Sequence, residues 1–251
     1  MNEGIDVSSW QTKVDFVKVK NAGYSFVIIR AGFGITIDNC FETYIKAAAN
    51  AGLHIGAYWY FNKCNTAFEQ ASKCVEVIAP YRNIIDMPVY CDYECTNNTA
   101  HMIQSCNNFC AIIEKAGYTA GVYSNAARLE QTPELVLSYS IWCADWRGTC
   151  GISSADMWQY TSKGVVNGVS GKVDINKLLD TTIIKSAVNT ASMIGEYYKA
   201  KNYVKTYDTL AREIVAGKWG NGVDRKSRIE NAGYDYILAQ HIVTNIMGGK
   251  A

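Results

Sequence analysis

The sequence predicts an α/β fold: an irregular, TIM-like (β/α) barrel of eight strands and about five helices, followed by a small all-α domain of three helices. Short apolar runs alternate with amphipathic stretches up to about residue 180. Several of these stretches stop at a glycine, in Ala22-Gly23, Ala51-Gly52 and Ala116-Gly117, as helices do before a following strand. Beyond Asp180 no further strand pattern appears.

Eight short apolar runs are the strand candidates. They are Ile5–Ser9, Phe26–Gly32, His54–Phe61, Pro88–Glu94, Ala120–Ser124, Ile141–Trp146, Met157–Tyr160 and Lys172–Ile175. Helices are predicted between most of them, at Phe16–Ala22, Phe41–Ala51, Ala67–Ile78, Met102–Ala116 and Ala126–Leu129. Because the helices become short or vanish after Ala120, we do not expect a regular eightfold barrel.

The domain organisation follows from this change of pattern. Residues 1–186 form the predicted barrel domain, 187–206 a linker and 207–251 a helical module. Three short helices are expected in the module, at Leu210–Val215, Arg225–Ala232 and Tyr236–Met247. A segment of about 45 residues is small for independent folding, although three-helix modules of this size exist.

Composition excludes several classes of protein. Hydrophobic residues make up 49% and charged residues 19% of the 251 residues, which rules out a disordered chain. The net charge of +1 argues against a nucleic-acid binder that works by bulk positive charge. No run approaches the roughly 18 apolar residues of a membrane span, so no membrane insertion is expected.

The nine cysteines cannot all pair within one chain. The opening residues, Met-Asn-Glu-Gly-Ile-Asp, have neither the basic nor the apolar region of a secretory signal, so we expect synthesis in a reducing cytoplasm with free thiols. Cys91, Cys95, Cys106 and Cys110 form two CxxxC pairs that could ligate zinc. The alternative is that they are buried apolar thiols, since the last two have helical spacing.

Four acidic residues are predicted to converge. Asp92 and Glu94 end one strand candidate two positions apart, so both project from one face at the end where a barrel builds its active site. Asp6 lies in the first strand and Asp174 in the last, and closing a barrel makes these strands neighbours. Like charges held this close raise the pKa of at least one carboxyl. Asp92 and Glu94 could instead be exposed loop acids, and the four carboxylates could instead hold Mg²⁺ or Ca²⁺.

Aromatic residues end several of the same strands: Tyr58, Tyr60, Tyr123, Trp142, Trp146, Trp158 and Tyr160. Arg30 closes another strand, where it either pairs with acids or contacts a substrate. A mouth with central acids and aromatic walls suits glycoside cleavage. No P-loop, GxGxxG or GxSxG motif and no metal-like pair of histidines is present, so neither a cofactor nor a metal is expected, and His54 is interpreted as structural.

A series of motifs makes the prediction specific. They are Gly4-Ile-Asp-Val-Ser-Ser-Trp-Gln11, Phe26-Val-Ile-Ile-Arg-Ala-Gly-Phe-Gly34, Gly56-Ala-Tyr-Trp-Tyr-Phe61, Asp92-Tyr-Glu94, Gly121-Val-Tyr-Ser-Asn125, Trp142-Cys-Ala-Asp-Trp146, Trp158-Gln-Tyr160 and Val173-Asp174. In this order they resemble glycoside hydrolase family 25, which contains the Chalaropsis-type lysozymes and many phage endolysins. The resemblance implies a flattened barrel and N-acetylmuramidase activity, the cleavage of the bond between N-acetylmuramic acid and N-acetylglucosamine in peptidoglycan.

The resemblance assigns roles residue by residue. Glu94 matches the general acid, Asp92 its partner, and Asp6 and Asp174 the opening and late acids of the family pattern. The predicted substrate contacts are Arg30, Tyr58, Tyr60, Tyr123, Trp146 and Gln159. Because Asp92 and Glu94 come from one strand, they can hardly flank a sugar from opposite sides, so we expect substrate-assisted catalysis. An inverting route with Asp6 or Asp174 as the base stays open.

The C-terminal segment has its own resemblance. Leu210-Ala-Arg-Glu-Ile-Val-Ala-Gly-Lys-Trp-Gly-Asn-Gly-Val-Asp-Arg225 and Ala232-Gly-Tyr-Asp-Tyr236 resemble the CW_7 cell-wall-binding repeat. The implied ligand is the muramyl-peptide part of peptidoglycan, with Arg212, Trp219, Arg225 and Tyr234 as binding residues. The alternative is that the aromatics are core residues and the arginines are solvated.

Four functions remain in competition at this point. The first is a phage endolysin that stays in the host cytoplasm until a holin-type pore releases it to the wall. The others are a bacterial autolysin of the same activity, a non-catalytic peptidoglycan-binding protein, and a relative that cleaves a polymer such as chitin. The four intact acids argue against the binding protein, and the CW_7 segment argues for peptidoglycan as the partner.

Overall fold

The structure, a computed structural model, describes residues 2–185 and 207–232, with positions 236, 239, 240, 243 and 247. It divides the chain into two compact units, Met1–Asn189 and Thr190–Ala251. The predicted linker at 187–206 lies outside the described residues, and the domain limits given above stay predictions.

The first unit is built on one sheet. Its strands are β1 (Glu3–Val7), β2 (Phe26–Phe33), β3 (Thr36–Ile37), β4 (His54–Tyr60), β5 (Val89–Asp92), β6 (Ala120–Asn125), β7 (Ser140–Ala144), β8 (Met157–Gly164) and β9 (Val173–Leu178). The strand order is β1-β9-β8-β7-β6-β5-β4-β2-β3, and β1 also pairs with β2. Eight of the nine strands therefore close a barrel, while β3 is an antiparallel extension of β2. The predicted eight-stranded barrel is confirmed.

Strand β9 runs in the opposite direction to both of its neighbours. The other barrel pairings are parallel. The reversal brings the start of β9 beside the end of β1, where Asp174 pairs in register with Asp6. Both acids consequently lie at the end of the barrel where the parallel strands finish.

Within residues 2–185, six α-helices accompany these strands. They are α1 (Phe16–Asn21), α2 (Phe41–Asn50), α3 (Ala67–Ile78), α4 (Thr99–Lys115), α5 (Ala126–Leu129) and α6 (Pro133–Ser138). Thr66 and Glu69 form a reciprocal capping box at the start of α3. The glycines that follow α2 and α4, Gly52 and Gly117, have left-handed φ values of 72° and 80°, as the helix stops require. Sequence analysis missed α6, which begins at a proline suited to a first helical turn.

The inside of the barrel below its mouth is aromatic. Trp142 is only 1% exposed, and its ring lies 5.9, 5.3 and 4.4 Å from the rings of Tyr58, Tyr90 and Tyr123. Gly121 makes room for this cluster, because a Cβ atom there would clash with the Tyr90 ring. Each such aromatic pair contributes about 0.5–1.5 kcal/mol beyond its buried area. The cluster forms a rigid floor under the acids.

The second unit contains α7 (Tyr207–Val215) and α8 (Gly222–Asn231). The first two predicted helices are therefore present, and both begin earlier than predicted. Leu210 and Ile214, four residues apart on one face of α7, are buried, and so is Ile229 of α8. Most of the third predicted helix, and Tyr234, lie outside the described residues. None of the helices in the described parts of the chain is long and apolar enough to cross a membrane.

Candidate active site

The four predicted acids lie at one end of the barrel. Asp6 is near the end of β1, Asp92 is the last residue of β5, and Asp174 is the second residue of β9. Glu94 follows β5 by two residues, so the predicted strand Pro88–Glu94 ends earlier than expected. Asp6 and Asp92 are 5% and 6% exposed, whereas Glu94 is exposed. The site therefore has two buried carboxyls, the half-buried carboxyl of Asp174 and one carboxyl, that of Glu94, which reaches solvent.

Asp6 and Asp174 face each other across β1 and β9, and each carboxyl changes the pKa of the other. Burial, followed by the negative charge of Asp174, raises the pKa of Asp6 well above its ordinary value. Burial also raises the pKa of Asp174, to about 6. Two negative charges held this close disfavour full ionisation, so the pair keeps its last proton to a higher pH than two separate aspartates would.

One oxygen of the Asp92 carboxyl can accept a hydrogen bond that no described residue donates. Its Oδ1 atom is buried and has no hydrogen-bond partner among the described residues. Burial and the charges of Glu94 and Asp6 raise the pKa of Asp92, while the positive charge of Arg30 opposes them. A buried, unpaired carboxyl oxygen is unfavourable on its own, and a donor from a bound ligand would satisfy it.

Glu94 has the properties of a proton donor. Partial desolvation raises the pKa of its carboxyl above the usual value, and the charge of Arg128 lowers it by a smaller amount. The carboxyl therefore keeps its proton to a higher pH than an ordinary glutamate while remaining exposed. This combination is what a general acid needs near neutral pH.

Arg128 is a site residue that sequence analysis missed. Its Nη2 atom donates to the backbone oxygen of Glu94 at 3.3 Å and to Oδ1 of Asn97 at 3.0 Å. Arg128 belongs to α5, which begins directly after β6. A position just after a barrel strand was the sequence signal that could have placed Arg128 near the mouth of the barrel. The arginine holds the segment that carries Glu94 and places a positive charge beside it.

Replacing Arg128 by glutamine is expected to raise the pKa of Glu94, because the arginine charge lowers it. A general acid with a higher pKa stays protonated longer, so the alkaline limb of the kcat/KM profile should move up by up to about one pH unit. The profile is measured between pH 4 and 9. Arg128→Lys keeps the charge and should leave the limb in place, and a downward shift in Arg128→Gln would contradict this assignment.

Two predicted substrate contacts are bonded to the protein itself. Arg30 donates from Nε to Oδ2 of Asp38 at 2.7 Å and from Nη2 to Oγ of Ser9 at 2.9 Å, so its main partner is Asp38. Gln159 is buried, and both ends of its amide bond to protein groups, Asp6 and Tyr123. These groups are bonded to protein partners, and Arg30 and Gln159 stay predicted substrate contacts.

The aromatic walls consist of residues with different exposure. Tyr58 and Tyr123 are buried except for a small part, and Tyr60 is half-buried. Trp146 is 60% exposed in the loop after β7, so the predicted strand Ile141–Trp146 is shorter than expected. Asp145 braces this loop: Arg147 pairs with it at 2.7 Å and holds its pKa near 2. The four aromatics stay predicted substrate contacts.

Alternative sites find less support. Cys91, Cys106 and Cys110 are buried, with the first two sulfurs 4.0 Å apart, and the described residues contain no group of three or more potential ligands arranged to hold a metal ion. His54 bonds through Nδ1 to Asp86 at 2.6 Å, which agrees with a structural role. The thiols pack as small apolar side chains in this part of the chain.

Four acids at one mouth of a closed barrel, above an aromatic floor, form an arrangement that suits the cleavage of a glycosidic bond. Residues 5–169 match the model of Glycosyl hydrolases family 25, and the chain belongs to this family. Residues 208–247 match the CW_7 repeat. The resemblance found in the motifs is confirmed for both segments.

Known proteins similar to this chain include lysozymes. The autolytic lysozyme of Clostridium acetobutylicum is 26% identical over 196 residues, which cover 74% of this chain and 58% of that protein. Lysozyme M1 of Streptomyces globisporus is 30% identical over 213 residues, covering 75% and 72%. The crystal structure of the bacterial lysozyme from Streptomyces coelicolor has a TM-score of 0.63 and 28% identity, covering 76% of this chain and 98% of that one. The chain thus spans little more than half of the Clostridium protein.

Proposed function

We propose that this protein is an N-acetylmuramidase, a lysozyme that hydrolyses the β-1,4 bond between N-acetylmuramic acid and N-acetylglucosamine in bacterial peptidoglycan. The observation that carries the proposal is the pairing of an exposed, proton-holding Glu94 with a buried, unpaired Asp92 at the mouth of a family 25 barrel. The lysozymes similar to this chain support the choice of substrate.

Catalysis follows from where the two carboxyls lie. Glu94 protonates the leaving glycosidic oxygen and afterwards takes a proton from the attacking water. Asp92 lies two residues earlier on the same strand end, so it cannot attack from the opposite face of the sugar. The 2-acetamido oxygen of the muramic residue attacks C1 instead. The free Oδ1 of Asp92 accepts the acetamido N–H and stabilises the positive charge that develops there.

This route makes a stereochemical prediction. Attack by the neighbouring acetamido group and then by water gives two inversions, so the first product should be the β-anomer. Proton NMR during the first minutes of hydrolysis, before the anomers equilibrate, distinguishes the outcomes. Initial release of the α-anomer would favour the inverting route, with Asp6 or Asp174 as the base.

The activity itself is tested by digestion of two polymers. Purified peptidoglycan should release soluble fragments, while chitin, which has the N-acetyl groups but no lactyl ether or peptide, should release few. Cleavage of chitin at a similar rate would point to the fourth hypothesis. Binding to several walls without any turnover would favour a non-catalytic peptidoglycan-binding protein.

We propose that the C-terminal unit binds the muramyl peptide through Arg212, Trp219, Arg225 and Tyr234. Trp219 is half-buried in a glycine-rich loop, and its Nε1 atom donates to Oε2 of Glu213 at 3.0 Å. Arg225 donates from Nε to the backbone oxygen of Gly220 at 2.8 Å, which braces the same loop. A braced loop that presents part of an aromatic ring suits a sugar or peptide face.

Replacing Trp219 by alanine should weaken binding to isolated cell walls about thirtyfold or more, because a central aromatic contact contributes about 2 kcal/mol or more. Co-sedimentation with walls measures the effect. Val223→Ala is the matched control, since Val223 is an exposed apolar residue of the same unit. Trp219→Phe keeps the ring and should retain most binding. Equal affinities for Trp219→Ala and wild type would remove Trp219 from the binding surface.

We propose further that the enzyme works as an endolysin, made in the bacterial cytoplasm and released to the wall through a holin-type pore. Expression in a bacterium with a susceptible wall should leave the culture intact until a pore-forming protein is co-expressed. Lysis without the pore-former, or appearance of the enzyme in the medium of growing cells, would favour the autolysin hypothesis.

A further inference from the structure

The Asp6 carboxyl is held by two buried amides from different strands. Its Oδ2 atom accepts hydrogen bonds from Nδ2 of Asn176 at 2.8 Å and from Nε2 of Gln159 at 3.0 Å. Asn176 belongs to β9 and Gln159 to β8, so the contacts reach Asp6 from two adjoining strands. Two donors on one oxygen fix the rotation of the carboxyl group.

Each amide is oriented by a further donor behind it. Nε1 of Trp142 donates to Oδ1 of Asn176 at 2.8 Å, and the hydroxyl of Tyr123 donates to Oε1 of Gln159 at 3.0 Å. An indole N–H can only donate, so the oxygen of Asn176 must face Trp142 and its nitrogen must face Asp6. The aromatic floor of the barrel thus determines which end of the amide meets the carboxyl.

The other side of Asp6 faces Asp174. The two residues are paired in register across the antiparallel strands β1 and β9, so their side chains project from the same face about 4.5–5.5 Å apart at Cβ. Because Oδ2 of Asp6 is bonded to two amides, Oδ1 is the oxygen left to interact with the Asp174 carboxyl.

We propose that Asn176 and Gln159 are positioning residues for the reaction: they hold Asp6 so that Asp6 and Asp174 share one proton and present a single negative charge to the substrate. This inference rests on the proposed muramidase function. A pair with two charges would repel the neighbouring acids, and a pair with two protons would lose the charge that stabilises a cationic transition state.

The charged surroundings of Asp6 determine the sign of the effect. Asp174 faces it from β9 and Asp92 from β5, Glu94 lies beyond Asp92, and Arg30 approaches from β2. Tyr58 and Tyr123 complete the ring from β4 and β6. Burial and then Asp174 raise the pKa of Asp6, whereas the bonds from Asn176 and Gln159 lower it. Removing either amide should therefore raise the pKa of Asp6, so that the Asp6 and Asp174 pair stays protonated to a higher pH.

The test compares three variants that each remove a buried amide. Asn176→Leu and Gln159→Met remove one donor to Asp6. Gln70→Met is the matched control, since Gln70 is equally buried but bonds only to the backbone of Asn62 and Asn65. We expect the acid limb of kcat/KM to move up by roughly 0.5–1 pH unit in the first two variants, mainly through kcat. Gln70→Met should keep the wild-type profile even if it unfolds at a lower temperature.

The overturning result is a reduced rate in Asn176→Leu and Gln159→Met with the profile of the wild type, because loss of rate alone indicates only a structural role. A readout without turnover separates this proposal from the muramidase assignment. In protein labelled with ¹³C at aspartate carboxyls, the step assigned to the Asp6 and Asp174 pair should shift to higher pH in both variants. That shift is expected even if no glycan is cleaved, and its absence would contradict the shared proton.

Discussion

Replacing Glu94 by glutamine is expected to lower kcat on peptidoglycan about 10²–10⁴-fold, because the amide cannot supply the proton that the leaving oxygen needs. The change is nearly isosteric, and Glu94 is exposed beyond the end of β5, so the thermal unfolding temperature should stay close to that of the wild type. KM should change far less than kcat, since the proton is transferred in the transition state. Steady-state release of reducing ends measures both constants.

Glu114→Gln is the matched control for this experiment. Glu114 is an exposed glutamate of α4, so the same chemical change is made outside the barrel mouth. The control should keep wild-type kcat. Turnover of Glu94→Gln at the level of the control would remove Glu94 from the role of general acid.

Replacing Asp92 by asparagine is expected to have two opposite effects. Turnover should fall about 10²–10³-fold, because a neutral amide stabilises a developing positive charge far less than a carboxylate does. Stability should rise. The pKa of Asp92 is higher in the folded protein than in the unfolded chain, so the folded state binds the proton more tightly. The wild type therefore loses stability as the pH rises from about 4 through the folded pKa, and Asp92→Asn does not.

Thermal melts between pH 4 and 8 measure this gain. The difference in unfolding temperature between Asp92→Asn and wild type should be small at pH 4 and should grow toward pH 8. Asp15→Ala is a control of opposite sign, because the bond from the backbone of Lys18 lowers the pKa of Asp15, and its loss should destabilise the protein mainly at higher pH. A wild type more stable than Asp92→Asn at pH 7 would contradict the account of Asp92 as an unfavourably buried acid kept for catalysis.

The convergence of the acids was predictable because it depends on alternation and closure. Side chains two apart on a strand share a face, and the first and last strands of a closed barrel are neighbours. These rules were sufficient to place Asp92 at a strand end and to bring the strands of Asp6 and Asp174 side by side. They were not sufficient to place Glu94, because this residue lies in the segment after β5 and not in the strand. Its position in that segment depends on the hydrogen bond from Arg128.

The direction of β9 could not be predicted, because a short apolar run has the same pattern in either direction. Only the pairing across β1 shows that Asp174 lies at the start of its strand and Asp6 near the end of its own. The roles of Asn176 and Gln159 were hidden for a related reason. Amides carry no charge and form no motif alone, and their contacts join strands far apart in sequence. The available signal was the spacing of Asp174 and Asn176, two residues apart on one face.

We propose that the enzyme cleaves on the reducing side of N-acetylmuramic acid. Identifying the sugar at each newly formed reducing end is the most direct test of this cleavage site. Purified peptidoglycan is digested with wild type or Glu94→Gln, the new ends are reduced with borohydride, and the labelled sugars are separated and assigned by mass. We expect new reducing ends on N-acetylmuramic acid from the wild type and almost none from Glu94→Gln. New ends on N-acetylglucosamine, or no new ends from the wild type on several walls, would contradict it.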